Sequence, residues 1–97
     1  MEKWPEGWRT VAGTEADNLT RELGKEVVEG HELFGHETRA IARCERCDDI
    51  LAALDGGAVA EVHLTWSKST ELQHLPWTTR WISLAAWRNH RLAEPDC

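Results

Sequence analysis

The stretch Asp49-Ile50-Leu51-Ala52-Ala53-Leu54-Asp55-Gly56-Gly57-Ala58-Val59-Ala60-Glu61-Val62-His63-Leu64-Thr65-Trp66 decides the fold. Its middle, Asp55-Gly56-Gly57, is a turn signal, because glycine takes positive φ without steric cost. On the C-terminal side Ala58, Ala60, Val62, Leu64 and Trp66 alternate with Val59, Glu61, His63 and Thr65. Period two with one polar face predicts a half-buried antiparallel strand over 58–66. On the N-terminal side Ile50 to Leu54 is apolar on both faces, which suits a central strand over 49–54. The two form a hairpin.

Working outward, Thr38 to Arg43 reads as a further strand, and Trp77 to Ile82 as a fourth, with Pro76 tolerated at its entry. Before the strands, Ala16, Leu19, Leu23 and Val27 recur at helical spacing, with Asp17, Arg21, Glu22, Lys25 and Glu29 left wet. Thr14 is placed to cap that helix, Asp17 to complete a capping box, and Gly30 to end it. Residues 31–37 form a connection that tucks Leu33 and Phe34 inward. Residues 1–13, with Pro5, Gly7 and Gly13, read as an irregular arm, and Ser83 caps a closing helix over Leu84 to Leu92. The expected class is α+β in one domain over 1–97: an N-terminal helix, three or four antiparallel strands in a meander, and a short C-terminal helix, in two layers.

Composition narrows the function classes. Net charge is −6, and the 97 residues hold 17 acidic and 11 basic side chains. No basic patch is present, so nucleic acid is not an expected partner. No apolar run reaches the length of a membrane span, and no leader of signal-peptide type opens the sequence. Three cysteines are an odd and low count for a secreted scaffold, so reduced thiols in the cytoplasm are expected. Six tryptophans in a chain this short are unusual. Most are expected in the core, with Trp4 and Trp8 of the Trp-Pro-Glu-Gly-Trp segment as the candidates for an exposed binding face.

The motif with a mechanism attached is Cys44-Glu45-Arg46-Cys47, whose spacing lets two thiolates meet one tetrahedral zinc from a turn. The remaining ligands would come from His31, His36, His63 or His74, without a second such pair to complete the set. Two ordinary thiols near a turn is the competing reading, and no cofactor is expected. Asp48-Asp49 could pair as acids or bond turn backbone. His63 and Thr65 share the polar face of their strand. Arg39, Arg43 and Arg46 read as charges guarding a sheet edge.

With these residues in view, the middle of the chain resembles a group of short bacterial proteins. The shared features are His31-x-Leu33-x-Gly35, Arg39-Ala40-Ile41-Ala42-Arg43, Asp48-Asp49-x-Leu51 and Val62-His63-Leu64-Thr65-Trp66, followed by Pro76-Trp77. The resemblance spans residues 31–77 and implies a fold. It implies no activity and no catalytic residue, and Cys44 and Cys47 fall outside its pattern. Two functions follow as expectations. One is a non-enzymatic binding module of inhibitor or immunity type that takes a basic protein partner, using the acidic first helix with Trp4 and Trp8. The other is a small-ligand or zinc site at the Arg43–Asp49 turn and the His63 sheet face.

Overall fold

A computed structural model of the chain describes residues 4–27, 29–46, 49–64 and 77–93, with the Trp77 side chain set aside. In chain order the elements are β1 (Trp8–Thr10), α1 (Gly13–Glu26), β2 (Thr38–Cys44), β3 (Asp49–Leu54), β4 (Val59–His63), β5 (Trp77–Trp81) and α2 (Leu84–Ala93). The strands form a single antiparallel sheet in the order β1-β2-β3-β4-β5. The α+β class and the antiparallel meander are as the sequence predicts. There is one strand more than the expected three or four.

The extra strand lies in the segment expected to be an irregular arm. Trp8, Arg9 and Thr10 pair with Cys44, Arg43 and Ala42. Three residues are too few for alternation to show. A chain that enters past Pro5 and a positive-φ Gly7 hides the strand further. The hairpin is the part read most faithfully. Asp49 stands opposite His63 and Ala53 opposite Val59, and the turn between them holds Gly56 at φ 81° and Gly57 at φ 88°.

Helix α1 starts at Gly13 behind an extended Ala12, so Thr14 is inside the helix and caps nothing. It ends at Glu26 with Val27 extended, before Gly30, whose positive φ belongs to the following turn. The cap expected for α2 is present: the Ala86 N–H donates to Ser83 Oγ at 3.1 Å.

The sheet buries both faces, which corrects the two-layer expectation. On one face Ala16, Leu19 and Leu23 of α1 pack on Ala40, Ile50, Ala52, Leu54, Ala60 and Val62. On the other, Trp87 and Leu84 of α2 pack on Trp8, Ala42, Cys44, Leu51 and Val59. The layers are therefore α/β/α. Strand β2 serves both cores through a register shift between Ala40 and Ala42. Residues two apart in a regular strand share a face, but the bulge sends Ala40 to the α1 core and Ala42 to the α2 core.

The three arginines expected to guard a sheet edge, Arg39, Arg43 and Arg46, are instead paired with carboxylates, as is Arg9. Arg9 grips Glu15 at 2.6 Å, Arg43 reaches the same carboxylate at 3.4 Å, Arg39 pairs with Asp17 at 3.6 Å, and Arg46 pairs with Glu6 at 3.0 Å. Strand β2 is interior to the sheet, so Arg39 and Arg43 guard no edge.

Candidate functional site

Two regions of the surface carry chemistry. The first is where β3 meets β4. Because Asp49 and His63 are directly opposed, their side chains project to the same face, and His63 Nδ1 lies 2.6 Å from Asp49 Oδ1. Asp49 is largely buried, while about half of the His63 side chain reaches solvent. The diagonal neighbour Glu61 is buried too, beneath α2. Arg91 grips it with two bonds, Nε to Oε1 at 2.8 Å and Nη2 to Oε2 at 2.6 Å, and the Trp87 Nε1–H donates to Oε1 at 2.9 Å.

Desolvation pushes the Glu61 carboxyl above its ordinary value, and a hydrogen bond with Asp49 pushes the same way, against Trp87 and Arg91. The β4 face expected to be open and polar is thus a roofed ion-pair network, with only His63 at its exposed end.

The structure therefore brings Asp49 and His63 together and scatters the other sequence candidates. Trp8 is a core residue, 7% exposed, set edge-on against Trp87 with ring centroids 5.0 Å apart. Its expected role on a binding face is overturned, because the α2 core needs an indole there. Trp4 is partly buried against the same Trp87 at 5.9 Å and donates Nε1–H to Thr10 Oγ1, so it is a lid on that core. Cys44 is fully buried in the α2 core, not displayed at a turn, and its Sγ accepts the Arg46 N–H at 3.4 Å. Cys47, Asp48, Thr65 and His74 lie outside the described residues. Among the described residues, no group of three His, Cys, Asp or Glu side chains is placed to hold a metal.

The second region was not singled out from the sequence. It is the connection between α1 and β2. Its inner side is pinned: His31 is buried, its Nδ1 accepts the Leu33 N–H at 3.0 Å, and Nε2 faces Thr78 Oγ1 of β5 at 3.3 Å. With Nδ1 accepting, the proton sits on Nε2 and points to the hydroxyl. Leu33 goes inward as expected and is buried. Phe34 does not: it is 52% exposed, at the start of a turn completed by Gly35 at φ 88°. Consecutive residues in that turn face opposite ways, so only one of the pair can enter the core.

Glu29, Glu32 and Glu37 of the same connection are all exposed. The His36 ring lies 3.0 Å from Asp55 and holds that carboxyl below its ordinary value. A cleft of about 200 Å³ opens beside Phe34, walled by Leu23, Val27, Leu33, His36 and Thr38. A more open one of about 450 Å³ lies on the other side of Thr38, bordered by Glu37, Arg39, Leu54 and Asp55. A signal was present in the sequence: three glutamates without a lysine or arginine between residues 29 and 37.

Comparisons with protein-family models, with curated proteins and with solved structures give no significant match to this chain.

Proposed function

We propose that this chain is a non-enzymatic protein-binding module, of inhibitor or immunity type, that takes a basic protein partner in the cytoplasm. The observation that carries it is where the negative charge lies. Acids of the first helix are engaged within the fold: Glu15 by Arg9 and Arg43, and Asp17 by Arg39. Glu29, Glu32 and Glu37 are exposed within one short connection, and no ion pair among the described residues holds them. A patch of like charge beside an apolar side chain steers an oppositely charged partner and gives it a place to dry. The binding surface thus moves from α1 and the tryptophans to the α1–β2 connection. The likeness to short bacterial proteins belongs to the same proposal and adds a fold without a chemistry.

The test is co-expression of the chain with the basic product of a neighbouring reading frame, followed by association kinetics. Replacing Glu29, Glu32 and Glu37 by glutamine is expected to slow association by about ten-fold or more at low salt and by less at high salt. Equal rates for the two proteins would overturn the reading.

A second reading rests on the Asp49–His63 pair, the sole exposed part of a buried carboxylate network among the described residues. It is a small-ligand site at the β3–β4 end of the sheet. Chemical-shift changes at His63 on titration with small cations or amines would support it, and silence there would remove it.

A further inference from the structure

The geometry points to the cleft beside Phe34 as the socket for one apolar side chain of a lysine- or arginine-rich polypeptide segment, with the open cleft across Thr38 receiving a neighbouring basic side chain. This rests on the reading of the chain as a binder of basic proteins and goes beyond it by naming the anchor.

The size argument comes first. An apolar cavity of about 150 Å³ is enough to hold benzene, whereas sites for drug-sized ligands run to roughly 300–1,000 Å³. The Phe34 cleft, at about 200 Å³, suits a single aliphatic or aromatic side chain and is too small for a cofactor. Its walls mix apolar and polar groups, Leu23, Val27 and Leu33 with His36 and Thr38, and Leu23 and Leu33 are fixed by the core behind them. Phe34 supplies the exposed wall. A phenylalanine that is 52% exposed is the kind of residue that becomes an anchor once a partner covers it.

Charge decides the occupant. Glu29, Glu32 and Glu37 are exposed in the connection that supplies Leu33, Phe34 and His36 to the first cleft, and Glu37 and Asp55 border the second. The cation in that second cleft, Arg39, is already paired with Asp17. An acidic segment would meet repulsion at both clefts, and a neutral apolar one would desolvate Glu37 without giving it a partner. A segment that sets lysine or arginine beside an aliphatic residue satisfies both clefts together.

The experiment uses the full chain and two synthetic peptides of equal length and equal lysine content, one carrying a central leucine and the other serine at that position. Binding is followed by fluorescence anisotropy at low and at physiological salt. The leucine peptide is expected to bind about ten-fold more tightly. Phe34→Ala is expected to erase that preference while leaving the serine peptide's affinity as it was. The variant's thermal midpoint, unchanged because Phe34 is half exposed, certifies its fold. Equal binding of the two peptides, or a preference that survives in Phe34→Ala, would overturn the socket while leaving the attraction for basic chains standing. Failure of both peptides to bind at low salt would overturn both.

Discussion

Trp87 donates its indole N–H to Glu61 Oε1 at 2.9 Å, tying the closing helix to the strand at the middle of the hairpin. That bond explains how a glutamate comes to be buried inside a small protein. Arg91, one helical turn beyond Trp87, completes the carboxylate's partners from the same side.

The network sets a first prediction. Glu61→Gln leaves the Arg91 guanidinium, only 12% exposed, facing a neutral amide, and should cost about 3–5 kcal/mol, as for any buried pair broken from one side. Glu61→Gln combined with Arg91→Met should recover much of that loss. Urea unfolding of the two single variants and the double variant measures the coupling; additive losses would contradict it.

Trp8 gives a second. Removing residues 1–10 strips the edge strand, while replacing Trp8 by Ala uncovers Trp87, and the substitution alone should cost about 3–5 kcal/mol. Against a typical margin of about 5–15 kcal/mol, that is a large share of the whole. A dispensable arm would instead leave the denaturation midpoint where it was.

How much of this was legible turns on particular residues. The hairpin was, because a double-glycine turn and strict alternation fix a register. The second helical layer was not, because Glu61 in an alternating strand looks like a residue bound for water. The clue lay elsewhere, in Trp87 and Arg91, four apart and so on one face of α2. Glu61 is what that face needs. The bulge at Ile41 has no sequence mark, and without it Ala40 and Ala42 are assigned to one face. Asp49 and His63 were each candidates from the sequence, but their pairing emerges only with the observed register. The Phe34 surface was not, since an apolar residue beside Leu33 is expected to follow it inward.

The pH dependence of stability forms a third prediction. A hydrogen bond from Arg9 holds the Glu15 carboxyl down from 4.5 to about 2. Its folded value is below its unfolded one, so its contribution is present above pH 4.5 and is lost as pH falls through that window towards 2. The stability difference between the natural chain and Glu15→Gln should therefore shrink steadily from pH 5 to about 2. Chemical denaturation at stepped pH reads it, and a constant difference would contradict the pairing.

Cys44 supplies a fourth. Sealed at 0% exposure, its thiol should react with a thiol-specific reagent only as fast as the protein opens. Mass spectrometry of labelled peptides, with and without denaturant, resolves Cys44 from the other two cysteines. Prompt labelling of the folded protein at Cys44 would contradict its place behind Trp87.

The central claim is that the α1–β2 connection is the surface that meets a basic partner. Hydrogen–deuterium exchange of the full chain, alone and saturated with that partner, tests it most directly. The account predicts slowed exchange across residues 29–38, with the outer face of α1 and the segment around Trp4 and Trp8 unchanged. Protection confined to α1, or to the Asp49–His63 end of the sheet, would contradict it.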